Sequence, residues 1–238
     1  MSLRRELVQI IDQTSTAIAQ QTENDIDVVF LSEALEEALV LPVVNTVPGE
    51  ATDSLPALHD SYCQCTACPL GHRRNHFVFG SGNESADLML IGEAPGAEED
   101  SKGLPFVGAA GQLLTKILQS VHFKREDVYI ANILKCRPPK NRNPEPYEVE
   151  ACEPILREQI RLVRPKLICA LGRVAAQVLL NTTCPLGQLR GQFHEYAGTK
   201  LLVTYHPSAL LRNPSFKRPT WEDVQLLREE YDRLTGSA

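Results

Sequence analysis

The segment from residue 87 to residue 112 constrains the fold more than any other part of the chain. It begins with an unbroken apolar run at residues 88–91, which is typical of a strand buried on both faces of a parallel sheet. The run stops at Gly92, and glycines in the turn that follows permit unusual dihedral angles and let a ligand approach the backbone. On this segment alone, an ordinary strand-to-helix turn with a solvated acidic face and a core Phe106 is an equally good interpretation.

Strand-like and helix-like patterns alternate along the rest of the chain. Further strands are predicted at 127–130, 166–171 and 200–205. Helices are predicted at 109–121, from Tyr147, at 173–180 and from Thr220, the last with Trp221, Val224, Leu227, Tyr231 and Leu234 facing inward. Strands that alternate with helices indicate an α/β fold, in which helices cover both faces of a parallel sheet.

The residues that follow the predicted strands suggest a site. In open parallel sheets, ligands bind beyond the carboxyl ends of the strands. Those ends carry Glu93, Asn132, Gly172 and His206. A single His after a strand is usually structural, but a carboxylate, an amide and an imidazole at three strand ends favour a functional site. We therefore expect these groups to converge on one rim, beside Phe106.

The seven cysteines predict a thiolate site instead of disulfides. An odd count in a chain expected in the cytoplasm argues against a disulfide framework. Cys65 and Cys68 form a Cys-x2-Cys pair, and Cys136 and Cys152 can complete a four-thiolate site if the fold brings them together. Such a site holds either Zn²⁺ or an iron–sulfur cluster, and thiolate chemistry alone does not choose between them.

Hydropathy and charge restrict the environment and the partners. The sequence has no apolar stretch near the roughly 18 residues needed to span a bilayer, and its start does not have the pattern of a signal peptide. We therefore expect a cytoplasmic protein without a membrane partner. The net charge of −6 is uneven, because residues 63–218 carry +6 between acidic ends. That balance permits contact with phosphates without demanding it.

Residues 1–60 form a different region from residues 61–238. Short amphipathic helices are predicted at 2–20 and 32–40, and the Pro-, Gly- and Ser-rich composition at 42–56 indicates a linker. We find no catalytic constellation there. The expected structure is an irregular, mobile extension that could tether an unidentified protein partner.

Four motifs identify a family that the central region resembles. GEAPGAEED with GLPFVG, then ANILKCRPP and HPSALLR, together with the four spaced cysteines, are similar to the family 4 uracil-DNA glycosylases, the iron–sulfur type. The similarity runs from residue 60 to residue 236. It implies a three-layer αβα fold with a four-stranded parallel sheet. It also implies a [4Fe-4S] cluster on Cys65, Cys68, Cys136 and Cys152.

The resemblance also implies a reaction and roles for the site residues. The enzyme would be a monomeric DNA-repair hydrolase that acts on double- or single-stranded DNA in base excision repair. It would flip uracil out of the stack and hydrolyse its N-glycosidic bond, leaving an abasic site. Phe106 would stack on the extruded ring beside Glu93 and Ala94, and Asn132 would read its edge. His206 would stabilise the negative charge that develops near uracil O2.

One departure from family 1 matters for catalysis. That family has Gly-Gln-Asp-Pro-Tyr where this chain has Gly-Glu-Ala-Pro-Gly, so Ala94 stands at the position of the water-orienting Asp. Glu93 or Glu99 must then orient water or stabilise the sugar cation, unless backbone and leaving-group stabilisation suffice. Glu99 is the favoured residue. Gly96 cannot block the thymine methyl group as that Tyr does, so another group, such as Glu99, must exclude it.

The remaining candidates are contacts to DNA. Leu210 or Leu211 would fill the gap left by the flipped nucleotide, and the basic side chains would bind phosphates. The candidates for phosphate binding are Arg137, Lys140, Arg142, Arg190 and Arg212. The cluster would order the KCRPP loop, since hydrolysis has no redox step. Two alternatives remain, a non-catalytic uracil- or DNA-binding module and a small-molecule hydrolase with structural zinc.

Overall fold

The computed structural model of the protein describes residues 52–236. The helices predicted at 2–20 and 32–40, and most of the predicted linker, lie outside the described residues. Within the described part, no helix is long and apolar enough to cross a membrane.

A single mixed sheet forms the middle of the described domain. Its strands are β1 (Ser81–Gly82), β2 (Leu88–Gly92), β3 (Tyr129–Asn132), β4 (Leu167–Leu171), β5 (Phe193–Tyr196) and β6 (Thr199–Thr204). Their order is β1-β3-β2-β4-β6-β5. The central strands β3, β2, β4 and β6 are parallel, which confirms the predicted four-stranded core.

Two short antiparallel strands extend the sheet at its edges and were not predicted. β1 pairs with β3, and β5 pairs with β6 through a hairpin. The hairpin turn consists of Ala197 and Gly198, both with positive φ, as tight two-residue turns require. β1 is only two residues long and β5 is partly exposed, so neither carries the unbroken apolar run that marks a buried strand.

Helices cover both faces of the sheet. They are α1 (Leu55–Tyr62), α2 (Ala97–Lys102), α3 (Ala109–Ser120), α4 (Pro146–Val163), α5 (Arg173–Leu179), α6 (Leu186–Leu189), α7 (Pro207–Arg212) and α8 (Lys217–Thr235). Alternate residues of each central strand enter opposite cores. Met89 and Ile91 pack in the core that includes α1, α4 and α5, whereas Leu88 and Leu90 pack in the core that includes α3 and α8. The predicted three-layer αβα architecture is confirmed.

Helix α1 belongs to this domain, although it begins N-terminal to the predicted boundary at residue 61. Ser54 caps the helix by accepting a hydrogen bond from the amide of Ala57, and α1 packs on α4. Leu55 and Leu58 are buried in the core. The ordered domain therefore includes residues that composition alone assigned to the linker.

The last helix differs from its prediction in two respects. It begins at Lys217, one turn before Thr220, whose hydroxyl donates to the carbonyl of Phe216 within the first turn. Val224 and Leu227 face the core as predicted, but Trp221 is 42% exposed. Trp221 lies outside the buried face of the helix, which is formed by Thr220, Val224 and Leu227. The position of Trp221 on the helix, and not the size of its side chain, therefore determines its exposure.

Arg190, which the sequence suggested as a phosphate contact, pairs with a buried carboxylate inside the fold. Its guanidinium donates to both carboxylate oxygens of Asp223, at 2.9 and 3.0 Å, and to the carbonyl of Pro219 at 2.6 Å. Asp223 is almost fully buried and also accepts from Thr204 at 2.7 Å. The arginine thus neutralises a buried carboxylate that joins α8 to β6.

We expect Arg190→Ala to lower the free energy of unfolding by about 3–5 kcal/mol, because it leaves the buried Asp223 carboxylate unpaired. Urea unfolding measures this loss. Arg218→Ala is the matched control, because Arg218 is exposed and pairs only with exposed Glu222, and we expect a change within about 0.5 kcal/mol. A stable Arg190→Ala protein with weakened DNA binding would instead support the phosphate role.

Candidate active site

The site lies where the strand order reverses. β3 and β4 lie on opposite sides of β2, so the carboxyl ends of these strands diverge and leave a crevice. The structure brings together the four predicted strand-end residues. Glu93, Asn132, Gly172 and His206 all line one cavity of about 570 Å³.

Phe106 forms one wall of this cavity. Its ring lies over Gly92, where a side chain would collide with it, and its centroid is 5.4 Å from that of His206. Phe106 adopts a left-handed backbone conformation with φ of 52°, which is strained for a residue with a side chain. Surrounding contacts must therefore hold the loop in place.

Glu99 supplies the principal contacts that hold this loop. Its Oε1 accepts hydrogen bonds from the backbone amides of Val107 and Gly108, both at 2.9 Å. Its Oε2 lies 2.7 Å from the position that a Cβ on Gly96 would occupy. One oxygen of Glu99 therefore orders the Phe106 loop, and the other occupies the space in which a family 1 Tyr side chain would begin.

Asn132 presents an unsatisfied acceptor in a buried position. It is the last residue of β3, is 2% exposed and lies opposite Gly92 in the β2–β3 ladder. Its Oδ1 is buried and has no hydrogen-bond partner within residues 52–236. An unpaired buried acceptor costs about 1–3 kcal/mol, which a ligand with an N–H donor would recover.

His206 is neutral and has a defined tautomer. Its Nδ1 accepts from the amide of Ser208 at 3.1 Å and lies 2.8 Å from the Ser208 hydroxyl. Because Nδ1 is an acceptor, the proton of the neutral ring is on Nε2. Burial lowers the pKa of His206 to about 4, and Arg212 acts in the same direction. At neutral pH the ring therefore provides an uncharged N–H donor.

Glu93 is the other acidic side chain at the cavity. Burial raises its pKa, whereas Arg173 and Arg212 act in the opposite direction. These arginines also line the cavity, so one carboxyl group and two guanidinium cations share one rim. Ala94 lies beside Glu93 and offers no polar group, as its position in the motif implies.

The neighbouring acidic residue Asp100 is buried, which does not fit the interpretation of this turn as a wholly solvated acidic face. Its carboxylate accepts from the amide of Asn75 at 2.9 Å and from its side-chain amide at 2.7 Å. Asp100 therefore joins the segment after the cysteine pair to α2.

Some of the residues predicted to contact DNA at the rim are exposed, and others pack or form hydrogen bonds inside the protein. On α7, Leu210 is 2% exposed and packs inside, whereas Leu211 is 51% exposed. Arg142 makes two hydrogen bonds, at 2.6 and 2.8 Å, to the fully buried carboxylate of Glu148. Arg212 lines the cavity and has no ion pair among the described residues. Leu210 and Arg142 thus make contacts inside the protein, whereas Leu211 is exposed and Arg212 faces the cavity.

Several residues of the cavity were not predicted. They are Asn141, Asn143, Arg173, Tyr205 and Phe216. Arg173 and Tyr205 are immediate neighbours of the strand-end residues Gly172 and His206, so that adjacency was a usable signal. The ring of Phe216 stacks on Tyr205 with centroids 4.3 Å apart, a contact that the sequence did not indicate.

The cysteines of the predicted four-thiolate site come from three separate segments. Cys65 and Cys68 precede the sheet, Cys136 follows β3 and Cys152 lies in α4. Burial raises the pKa of Cys136, and the nearby charges of Cys68 and Cys65 raise it further. Burial also raises the pKa of Cys152, and the nearby charges of Cys136 and Cys68 act in the same direction. Within residues 52–236, no group of three or more His, Cys, Asp or Glu side chains is arranged to hold a single metal ion.

Hydrogen-bond donors approach three of these sulfurs, and the first is the amide of Ala67, which lies 3.5 Å from Cys65 Sγ. Arg74 approaches Cys136 Sγ at 3.4 Å, and the backbone amide of Lys135 approaches Cys152 Sγ at 3.3 Å. Burial raises the pKa of Cys152 to about 12, and Lys135 acts in the opposite direction. Four thiols, three of which accept a hydrogen bond at sulfur, have the chemistry of an iron–sulfur ligand set.

The fold and the cavity define an α/β protein with a pocket at the carboxyl end of its sheet, lined by an aromatic ring, an amide and an imidazole. Residues 79–225 match the model of the uracil DNA glycosylase superfamily. A type-4 uracil-DNA glycosylase of Archaeoglobus fulgidus is 43% identical over 190 residues, which cover 76% of this chain and 89% of that protein.

Two further relatives agree. A type-4 uracil-DNA glycosylase of Thermotoga maritima is 44% identical over 166 residues, covering 68% of this chain and 86% of that protein. A type-5 uracil-DNA glycosylase of Pyrobaculum aerophilum is 35% identical over 148 residues, covering 54% and 64%. The chain belongs to the uracil-DNA glycosylase superfamily and, within it, to the type-4 enzymes. The resemblance inferred from the motifs is confirmed.

We expect Gly111→Ala to destabilise the protein by about 1–3 kcal/mol and to slow excision, because a Cβ on Gly111 would overlap the backbone of Phe106. Elsewhere in a helix this change would stabilise by up to about 1 kcal/mol. Gly187→Ala is the matched control, because nothing lies within 4 Å of that position. Thermal unfolding and an excision assay measure both variants, and an unaffected Gly111→Ala protein would contradict the close packing.

Proposed function

We propose that the chain removes uracil from DNA by hydrolysing its N-glycosidic bond in this cavity, as a repair enzyme of base excision. The observation that carries the proposal is the unpartnered Oδ1 of Asn132 at the buried end of the cavity, beside the ring of Phe106. A base must leave the helical stack to reach it, which costs a few kcal/mol. Stacking on Phe106 would offset part of that cost.

Asn132 is proposed to select uracil by hydrogen bonding. Its Oδ1 would accept from uracil N3–H, and its Nδ2 would donate to O4. Cytosine has an unprotonated N3 and an amino group at C4, so the same amide would face an acceptor and a donor in the wrong places. The rejected base would leave buried polar groups unpaired, which is the most effective basis for discrimination.

His206 is proposed to stabilise the departing uracil. Negative charge develops on the base as the glycosidic bond breaks, and part of it lies on O2. The Nε2–H of a neutral imidazole would donate to that oxygen. Since Ser208 fixes Nδ1 as an acceptor, the donor is oriented before the substrate binds.

The two glutamates are proposed to have different roles. Glu93 would orient the attacking water or stabilise the sugar cation, because its carboxylate lines the cavity and keeps cationic neighbours. Glu99 would hold the Phe106 loop and exclude thymine, because its Oε2 lies 2.7 Å from the Cβ position of Gly96, where family 1 enzymes carry the Tyr that blocks the thymine methyl group. This assignment moves the catalytic role from Glu99, which we favoured on the sequence, to Glu93.

A [4Fe-4S] cluster is proposed to bind to the four cysteine thiols, which are those of Cys65, Cys68, Cys136 and Cys152. Bound there, the cluster would supply a structural crosslink and no electron transfer, since hydrolysis has no redox step. Cys136 begins the basic Pro-rich loop and Cys152 lies in α4, so the cluster would hold both ends of a segment that contributes Asn141 and Asn143 to the cavity. Thiols of this kind persist in a reducing compartment, which supports the expected cytoplasmic location.

Substrate DNA is proposed to contact the rim through Leu211 and Arg212. Leu211 would enter the gap left by the flipped nucleotide, and Arg212 would contact a phosphate. Action on both double- and single-stranded DNA, a monomeric state and a protein partner for the N-terminal extension stay predictions.

We expect His206→Ala to lower single-turnover excision by about 10²-fold or more with little loss of DNA affinity, as for the removal of one oxyanion donor. Alkali cleavage of uracil-containing DNA, in single- and double-stranded form, measures the rate. His122→Asn is the matched control, because His122 is exposed and precedes β3, away from the cavity. Unchanged excision by His206→Ala would exclude the proposed role, and an inactive wild-type protein would exclude the proposed function.

We expect Cys136→Ser to abolish the broad absorbance at about 400 nm that an iron–sulfur cluster gives and to lower the melting temperature. The absorbance spectrum and an iron determination on the purified protein measure this. Cys184→Ser is the control, because Cys184 is exposed and is outside the proposed ligand set. A Cys136→Ser protein with full colour and iron would remove Cys136 from that set.

A further inference from the structure

Lys135 is a fully buried lysine that the proposed chemistry does not use. Its exposed fraction is 0%, and it does not line the cavity. No acidic side chain pairs with it among residues 52–236. Burying a charge is costly unless it is paired or hydrogen-bonded, and an apolar side chain of similar length could fill the same space. A lysine at this position therefore requires an explanation in its contacts.

The ammonium group joins the end of β3 to α4. Nζ donates to the backbone carbonyl of Asn132 at 2.7 Å and to Gln159 Oε1 at 2.5 Å. Gln159 is itself fully buried, and its Nε2 donates to the carbonyl of Phe79 and to the hydroxyl of Tyr129. Each member of this network is thus oriented by another, and the network ends on the backbone of the residue proposed to read uracil.

The backbone of Lys135 makes a second connection. Its amide donates to the Sγ of Cys152, one of the proposed cluster ligands, while its side chain turns back to Asn132. The two amides before it, those of Ile133 and Leu134, bond to the carbonyls of Gly92 and Glu93. The segment that leaves β3 is therefore held on the sheet side by backbone bonds and on the helix side by Lys135.

This arrangement fixes the backbone from which the Asn132 side chain projects. The carbonyl that Lys135 binds is attached to the Asn132 Cα. Fixing this carbonyl therefore restricts rotation about the Cα–C bond of Asn132. A hydrogen bond from a charged donor is stronger than one between neutral groups. The Asn132 Oδ1 has no partner of its own in the described structure, so its position depends on the backbone that carries it.

We infer that Lys135 is a positioning residue for uracil recognition, holding the Asn132 amide in its reading orientation and linking it to the cysteine-bearing helix α4. The inference rests on the proposed role of Asn132 as the group that binds the uracil edge. Lys135 itself does not touch the substrate.

The test is Lys135→Met, which keeps the length and apolar volume of the side chain and removes its donors. Inhibition of the enzyme by free uracil reports on the Asn132 pocket without requiring bond cleavage. We expect the inhibition constant to rise about tenfold, which corresponds to about 1.4 kcal/mol. Affinity for DNA without uracil should stay unchanged, as should the absorbance of the cluster per protein.

A general loss of stability must be distinguished from a loss of positioning. Leu58→Ala is the control, because Leu58 is fully buried in the same core and has no part in the network. Under conditions in which Leu58→Ala and Lys135→Met are equally stable, the inhibition constant of free uracil for Leu58→Ala should equal that for the wild type. If both variants weaken inhibition equally, or if Lys135→Met leaves it unchanged, the inference is overturned.

Two further variants complete the design. If Lys135→Met does not fold, Gln159→Leu tests the same link by removing the second partner of the ammonium. Weaker uracil inhibition supports the inference, and wild-type inhibition overturns it. Asn132→Ala separates this question from the proposed function. If Asn132→Ala retains wild-type inhibition by uracil, the proposed reading role fails, and if it loses inhibition while Lys135→Met does not, only the role of Lys135 fails.

Discussion

The site depends on the register of β2 against β3, which sets Gly92 opposite Asn132. Because Gly92 has no side chain, the amide of Asn132 and the ring of Phe106 share the space above it. The ring reaches that position only through a left-handed backbone at Phe106, and that conformation in turn needs the Glu99 carboxylate on one side. A shift of the register by one residue would send Asn132 to the opposite face of the sheet and remove the cavity.

Burial determines the chemical state of the groups around that cavity. His206 stays neutral because an imidazolium would be poorly solvated there, and the amide of Ser208 determines which nitrogen carries the proton. The surroundings of each basic residue likewise determine whether its charge is paired inside the protein. Arg142 and Arg190 neutralise the buried carboxylates of Glu148 and Asp223, so the positive charge available to a phosphate is smaller than the composition suggests.

Much of the fold could be predicted because its central strands are buried on both faces and therefore appear as apolar runs ended by glycine or a polar residue. The edge strands β1 and β5 lack that signal, since an edge strand is short or partly exposed. The strand-end residues Asn132 and His206 were predictable for the same reason as the strands that carry them. Phe216 and Asn143 reach the cavity from loops, and loop paths depend on contacts that no local pattern encodes.

The sequence by itself determined the alternation of the four central strands with helices, the residue types at the carboxyl ends of those strands and, through its motifs, the family. These follow from local hydrophobic periodicity and from short spacings, which are properties of neighbouring residues. Only the tertiary structure decided which of Leu210 and Leu211 is exposed, which arginines are committed to carboxylates, and that Glu99 supports a loop. Each of these depends on partners distant in the chain, whose distances are set when the layers pack.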